Sequence, residues 1–181
     1  IISVLWVVVG FSLAFGDSIG GFIGNPASFL MFKNVGFTPH PDFGPTIPFA
    51  LFAMFQLKFA IITPALITGG LAERVRFTSL IVFIILFSLF IYAPLAHWTW
   101  HPEGFLRQWG VLDFAGGTVV HISAGFAALS GAIFLGKRKN VNTDSRPVNI
   151  PYILLGTGLL WFGWFGFNAG SSLAANELAV Q

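Results

Sequence analysis

The sequence predicts an all-α membrane protein, a polytopic bundle of transmembrane helices. Of its 181 residues, 55% are hydrophobic and 9% are charged, and the mean hydropathy is +0.81. A soluble domain needs far more charged residues to cover its water-facing surface. Long apolar segments alternate with short charged or Gly- and Pro-rich segments, a pattern typical of a chain that crosses a bilayer several times. These segments leave no room within the chain for a separate soluble domain.

Four apolar segments are long enough to span a bilayer, whose hydrocarbon core requires about 20 residues of helix. The apolar run that opens the chain lacks a basic flank and a small-residue cleavage site, so it predicts a truncated helix and not a signal peptide. We expect a single domain over residues 1–181, truncated at both ends. Its spans are predicted at about 1–15, 49–70, 77–97, 116–135 and 152–171.

The positive charges in the loops predict the orientation in the membrane. Six of the nine Lys and Arg residues lie at 71–76 and 136–149, whereas 16–48 contains one Lys and 98–112 contains one Arg. Cytoplasmic loops are enriched in Lys and Arg. We therefore expect a multi-pass protein of the cell membrane, with 71–76 and 136–149 in the cytoplasm and 16–48 and 98–112 outside.

Composition and charge exclude several classes of function. The net charge is +2, and the basic residues form no stripe suited to a phosphate backbone, so we expect no nucleic-acid partner. Cysteine is absent, which excludes disulfides, thiolate metal sites and a cysteine nucleophile. We expect no enzyme, no cofactor and no metal site.

His121 is the strongest candidate for a functional residue. It lies a few residues inside a span that carries no other charge, where desolvation favours a neutral imidazole with one donor and one acceptor nitrogen. Such a ring could line a path for a small polar molecule. The alternative is a structural histidine that hydrogen-bonds to a neighbouring helix. We favour the path, because ionisable residues inside membranes mark functional sites.

Asp113 precedes His121 by eight residues, which is about 12 Å along a helix, so the two side chains should not touch. An acid just before a helix caps free N–H groups and interacts favourably with the positive end of the helix dipole. We expect this structural role for Asp113. A secondary effect would be a negative field at the outer end of the helix, which favours cations.

The remaining candidates also have structural explanations. Phe55 and Phe59 share a helix face and could narrow a conduit, but their spacing alone favours simple core packing. Gly163 and Gly166 allow close helix packing. Lys58 lies about 14 Å into its span and must snorkel, pair or face a neighbouring subunit. We expect it to point away from any pore.

Four motifs resemble segments of the ammonium transporter (Amt/Mep/Rh) family and occur in the family's order. They are Phe55-Gln-Leu-Lys-Phe59, Leu71-Ala-Glu-Arg74, Asp113-Phe-Ala-Gly-Gly-Thr-Val-Val-His121 and Gly163-Trp-Phe-Gly-Phe167-Asn-Ala-Gly-Ser171. The resemblance covers essentially the whole chain, from the family's second helix through its sixth. It implies an eleven-helix fold of two inverted five-helix repeats, assembled as a homotrimer with one pore per subunit.

The resemblance implies a recruitment site and a gate. Phe59, Trp100 and Ser171 match the family's outer ammonium recruitment site, and Phe59 and Phe167 match its phenylalanine gate. The chemistry suits the substrate, because a bare charge in hydrocarbon costs tens of kcal/mol. An aromatic face can replace lost hydration by about 0.5 to 2 kcal/mol, and a hydroxyl can accept one of the cation's protons.

The resemblance also implies roles deeper in the pore. His121 matches the first of two pore histidines, and the second belongs to a later helix that this chain does not include. Asp113 and Trp164 match positions that support the pore mouth and conduction. A PII-type cytoplasmic regulatory protein is a further partner that the family implies.

Three functions follow from these observations. The leading hypothesis is transport of ammonium or ammonia through a trimeric membrane protein, with the charge state of the transported species left open. The second is an ammonium sensor built on the same fold. A transporter for an anionic solute would require broken helices and cationic residues near the midplane, and Lys58 is the single such residue in the sequence.

Overall fold

The computed structural model describes residues 1–138 and 149–181. They form two compact units, Ile1–Gly136 and Lys137–Gln181, which are described separately. Most of the predicted cytoplasmic loop at 136–149 lies outside the described residues. Four helices are long and apolar enough to cross a membrane, which confirms the predicted all-α, multi-pass class.

The first unit is built on four apolar helices and one short helix. They are α1 (Ile2–Phe15), α2 (Phe49–Leu71), α3 (77–100), α4 (Phe105–Gln108) and α5 (Gly117–Leu135). Helix α3 contains a π-helical turn at Ser88–Tyr92 and continues to Trp100, three residues beyond the predicted end of this span. Helix α5 begins with a π-helical turn at Gly117–Ile122.

The 16–48 segment contains strands that the sequence analysis did not predict. It forms two antiparallel hairpins, β1 (Ser18–Ile19) with β2 (Ile23–Gly24) and β3 (Pro39–His40) with β4 (Gly44–Pro48). A 3₁₀ turn at Leu30–Phe32 lies between them. Strands of two to five residues are too short to produce a readable alternation of apolar and polar residues.

An aromatic cluster packs the 16–48 segment against α1 and α2. Phe15 and Phe43 have ring centroids 5.4 Å apart, and Phe15 and Phe52 are 5.0 Å apart. Phe11 and Phe49 add a further pair at 5.5 Å. All five rings are buried, and large buried rings contribute much of the packing energy of a core. The segment is therefore a packed part of the fold.

His97 joins α3 to two other segments. Its Nδ1 lies 2.9 Å from the carbonyl oxygen of Ala14 and its Nε2 lies 2.8 Å from Oγ of Ser18. A carbonyl can only accept, so Nδ1 carries the proton and Nε2 accepts from the Ser18 hydroxyl. The Ser18 oxygen in turn accepts from the N–H of Gly21 at 3.1 Å. This fully buried imidazole thus holds α1, the first hairpin and α3 together.

Small residues allow α2 and α5 to pack closely. A Cβ at Gly131 would lie 2.5 Å from Cδ2 of Leu71, so any larger residue would force the leucine side chain to move, and such close approach is typical of membrane helices. Arg74 then links the ends of both helices. Its guanidinium donates to the carbonyl oxygen of Gly136 at 2.5 Å and also to that of Gly70.

The second unit contains one long helix, α6 (Ile150–Ala169), and a 3₁₀ turn at Glu177–Ala179. Oδ1 of Asn149 accepts the N–H of Tyr152 at 3.1 Å and so caps the beginning of α6, a favoured N-cap arrangement. The helix begins and ends two residues earlier than the predicted span. Its last five residues, Phe165–Ala169, form a π-helical turn.

We expect His97→Phe to destabilise the first unit, because the carbonyl of Ala14 and the hydroxyl of Ser18 would lose their buried partner. An unsatisfied buried group costs about 1 to 3 kcal/mol. The measurement is the thermal melting temperature of the full-length protein in detergent, together with the rate of proteolysis within 16–48. His40→Phe is the matched control, because the half-buried His40 ring packs on Phe43 and Phe49. Equal stability of the two variants would contradict the assigned role of His97.

Candidate functional site

Asp113 caps helix α5 with both carboxylate oxygens. Oδ1 accepts the N–H groups of Gly116 and Gly117, both at 2.7 Å, and Oδ2 accepts those of Thr118 at 2.8 Å and Val119 at 3.0 Å. The first four N–H groups of a helix have no partner within the helix. One side chain therefore satisfies all four N–H groups of residues 116–119, and the predicted capping role of Asp113 is confirmed.

Gly116 makes this cap possible. Its φ of 92° lies in the left-handed region, which glycine adopts without steric cost. A Cβ at this position would also lie 2.6 Å from Cγ2 of Val120 and 3.6 Å from Cδ1 of Phe59. The chain can therefore turn back toward Asp113 only with glycine here, and this turn lies directly against the Phe59 ring.

Trp100 and Phe59 meet beside the cap. The indole Nε1 of Trp100 donates to the main-chain carbonyl of Asp113 at 2.8 Å, and the rings of Trp100 and Phe59 contact edge to face with centroids 5.5 Å apart. Phe59 is 1% exposed, whereas Trp100 is half-buried. The structure thus brings Asp113 together with Phe59 and Trp100, which the sequence analysis placed in one recruitment site, and it keeps the Trp100 ring partly accessible.

Phe59 is also supported from its own helix. The Phe55 ring packs against it with centroids 4.9 Å apart, and the Thr63 hydroxyl donates to the Phe59 carbonyl at 2.7 Å. Lys58 is exposed while the adjacent Phe59 is buried, so the lysine lies on another face of α2, as expected.

His121 lies on the π-helical turn that opens α5. Its N–H donates to the carbonyl of Gly116, five residues earlier, at 3.0 Å. The side chain is exposed, on the same short helical segment that Asp113 caps. Gly116 links the two residues, because its N–H donates to the Asp113 carboxylate and its carbonyl accepts from the N–H of His121. Whether this ring lines a path stays a prediction.

The second unit carries the other predicted site residues. Ser171 follows the π-helical turn of α6, and its hydroxyl donates to the carbonyl of Phe167 at 2.8 Å. Because its proton is engaged, the Ser171 oxygen can only accept from a further group. Trp164 is 45% exposed on the same helix. Their roles stay predictions.

No group of three or more His, Asp or Glu residues suited to a metal ion occurs within 1–138 and 149–181.

The sequence analysis did not identify the carbonyl of Asp113 as the partner of Trp100, because a main-chain contact between α3 and the beginning of α5 leaves no signal in residue types.

Comparison with known proteins supports a single family. The Ammonium Transporter Family model matches residues 1–181. An ammonium transporter of Aquifex aeolicus is 52% identical over 180 residues, which cover 99% of this chain and 41% of that protein. One from Bacillus subtilis is 49% identical over 182 residues, covering 99% of this chain and 43% of that protein.

Solved structures agree with the sequence comparison. Mep2 of Saccharomyces cerevisiae superposes with a TM-score of 0.88 at 39% identity, covering 99% of this chain and 41% of that chain. A structure described as "Sensor Amt Protein" superposes with a TM-score of 0.85 at 35% identity, covering 99% of this chain and 45% of that chain. The chain spans about two fifths of the length of the curated relatives. It belongs to the ammonium transporter family.

Proposed function

We propose that the complete protein transports ammonium or ammonia across a cell membrane, and that Trp100 and Phe59 lie at its outer entrance. The observation that carries this proposal is the anchored Trp100 ring, held by the Asp113 carbonyl and packed on Phe59. The names of the relatives give the substrate. Phe59, Trp100 and Ser171 are then the recruitment site.

The recruitment site provides the interactions that a desolvated ammonium ion requires. The electron-rich face of Trp100 attracts a cation, and the hydrogen bond at its ring edge keeps the indole in one orientation. The Ser171 oxygen has used its own proton on Phe167 and accepts one N–H of the ion. Together these groups replace part of the hydration shell.

Asp113 supports recruitment without binding the ion. Each carboxylate oxygen already accepts two N–H groups, so its hydrogen-bonding capacity is directed into the helix. Its carbonyl holds Trp100, and its negative charge adds a local field that favours cations near the entrance. We therefore assign Asp113 as a positioning residue.

The path beyond the entrance is formed by aromatic rings and a histidine. Phe59 and Phe167 act as the gate that excludes bulk water and larger ions, and Trp164 supports the path on α6. His121 follows, as a ring that accepts from ammonium or donates to ammonia. If ammonium loses its proton before it reaches His121, neutral ammonia passes the ring; if it keeps the proton, the cation passes.

The family resemblance supports the proposed assembly, and the charges in the loops support the proposed orientation. We assign a homotrimer with one path per subunit, within an eleven-helix inverted-repeat fold. The loops at 71–76 and 136–149 face the cytoplasm, where a PII-type regulatory protein is the partner, and 16–48 and 98–112 face outside. A sensor function is the second candidate, because one similar structure is described as a sensor.

Transport and sensing differ in one measurement. Full-length protein in liposomes should accumulate or release ammonium down an imposed gradient at a rate proportional to protein content. If correctly assembled protein binds ammonium but shows no flux, the sensor function is supported and the transporter function is contradicted.

We expect His121→Ala to reduce selective ammonium flux to background while assembly is retained, because the ring that replaces hydration inside the span is lost. The measurement is flux in liposomes, with oligomeric state determined in detergent. Ser130→Ala is the control, since it lies on the same helix nine residues further on. Normal selective flux in an assembled His121→Ala protein would contradict the assignment of His121 to the path.

Ser171→Ala should weaken ammonium capture modestly, by about two- to tenfold in apparent affinity, which is the range for one hydrogen bond. The measurement is the concentration dependence of flux. Ser172→Ala is the matched control, because the Ser172 hydroxyl bonds to the main-chain oxygens of Ala169 and Ala174. An unchanged affinity for Ser171→Ala would make Ser171 a packing residue.

Asp113→Asn should lower both stability and flux. Asparagine keeps one acceptor oxygen and has an NH2 group in place of the other. Two of the four N–H groups that Asp113 accepts therefore lose their partner, at a total cost of about 2 kcal/mol or more. The measurement is the melting temperature alongside flux, with the exposed Glu103→Gln as the matched control. Reduced ammonium affinity at unchanged stability would instead indicate direct binding of the ion by Asp113.

A further inference from the structure

One face of helix α2 carries a lysine inside the membrane. Residues three and four positions apart lie on the same side of a helix. Exposed residues at this spacing form a stripe along α2, here called the lysine face, which consists of Leu51, Met54, Lys58, Ile61, Ala65 and Gly69. The other members of the face are apolar or small, so Lys58 carries its single charge.

Lys58 lies too deep to reach water at either end of α2. It follows Phe49 by nine residues and precedes Leu71 by thirteen, which is about 14 Å and about 20 Å of helix. A lysine stem spans about 6 Å, less than half of the shorter distance. The hydrocarbon core is about 30 Å thick, so the ammonium group of Lys58 lies in the interior of the membrane.

The described residues provide no counter-charge for Lys58. It forms no ion pair within 1–138 and 149–181, and the membrane-spanning helices α1, α2, α3, α5 and α6 contain no Asp or Glu. Asp113, just before α5, directs both carboxylate oxygens to main-chain N–H groups. Charged side chains inside a membrane are costly and are almost always paired or turned to the interior of a bundle. The partner of Lys58 therefore lies beyond these residues.

The lysine face also has the shape that suits a neighbouring helix. Ala65 and Gly69 are small residues four positions apart, a spacing that allows membrane helices to approach closely. Within the first unit, a Cβ at Gly69 would have no neighbouring atom within 4 Å, whereas one at Gly70 would lie 3.1 Å from Cβ of Ala128. Gly70 thus packs on α5, and the face that contains Gly69 is open.

We propose that Lys58 forms an ion pair with a carboxylate on a membrane-spanning helix of the same subunit, which lies outside residues 1–181 and packs along the lysine face. A carboxylate supplies both the counter-charge and the acceptors for the ammonium N–H groups. The chain covers 41% and 43% of two curated relatives, so a protein of their length has further helices to cover this face.

The position of Lys58 favours the same subunit over a neighbouring subunit. Lys58 is adjacent to Phe59 in the chain, so the lysine face lies about 100° around α2 from the ring at the proposed path. A path within one subunit is closed on this side by that subunit's own helices. The choice of subunit therefore uses the proposed path, whereas the ion pair does not depend on ammonium transport.

Thermal unfolding of the full-length protein in detergent tests the ion pair. We expect Lys58→Met to lower the melting temperature by about 5 °C, because a buried carboxylate loses its partner. Lys33→Met is the matched control, since it removes an exposed lysine from the 16–48 segment and should change the melting temperature by about 1 °C or less. A lysine that faces lipid or water gives a different result, because methionine there keeps or raises the stability. An unchanged or raised melting temperature for Lys58→Met overturns the proposal.

A second substitution identifies the acid. In the Lys58→Met protein, each Asp or Glu within a membrane-spanning helix outside 1–181 is replaced in turn by Asn or Gln. We expect one of these replacements to restore most of the lost melting temperature, because both charges of the pair are then removed. This rescue separates a broken ion pair from general misfolding. Failure of every replacement to restore stability, or the absence of an acid from those helices, overturns the proposal.

A photo-crosslinker identifies the subunit that covers the face. p-Benzoylphenylalanine in place of Ile61 lies one turn from Lys58 on the lysine face and keeps the lysine intact. We expect a crosslinked product of monomer mass on denaturing electrophoresis, with the captured peptide from outside 1–181. A product of dimer mass, or crosslinks to detergent and lipid alone, overturns the assignment to the same subunit. Neither experiment measures ammonium flux, so a failure of transport disproves the proposed function and leaves the ion pair unaffected.

Discussion

The carboxylate of Asp113 is the constraint on which the site depends. Inside a membrane no water satisfies the free N–H groups at the beginning of a helix, and Asp113 accepts four of them. Its main-chain carbonyl at the same time accepts from Trp100, which packs on Phe59. The beginning of α5, the position of the indole and the packing of Phe59 therefore follow from one residue and from the left-handed turn at Gly116.

The sequence predicts well what depends on local composition. Apolar length identifies the helices because the bilayer sets their minimum length, and the position of Asp113 before an apolar segment predicts the cap. The hairpins of the 16–48 segment have strands of only two to five residues, too short for a readable pattern, and the bonds of His97 depend on contacts between residues far apart in the chain. Ala14 and His97 are separated by 83 positions, and neither residue type indicates the other.

The π-helical turns explain a second limit of sequence analysis. Both His121 and Phe167 lie on such turns, where hydrogen bonds reach five residues back and the angle between successive side chains differs from that of an α-helix. A helical wheel with 3.6 residues per turn misplaces the side chains that follow. Turns of this kind are found frequently at functional sites, and two of the residues proposed for the path lie on them.

Asp113 forms structural contacts through both its side chain and its main-chain carbonyl, which limits the substitutions that the protein can accept there. Replacement of Asp113 by another side chain alters the helix start, and any resulting shift of its carbonyl releases Trp100. Gly116 cannot vary freely either, because its backbone conformation orients the four N–H groups toward the carboxylate. Asp113, Gly116 and Trp100 are therefore expected to be energetically coupled, so that the effect of a substitution at one position depends on the residues at the other two.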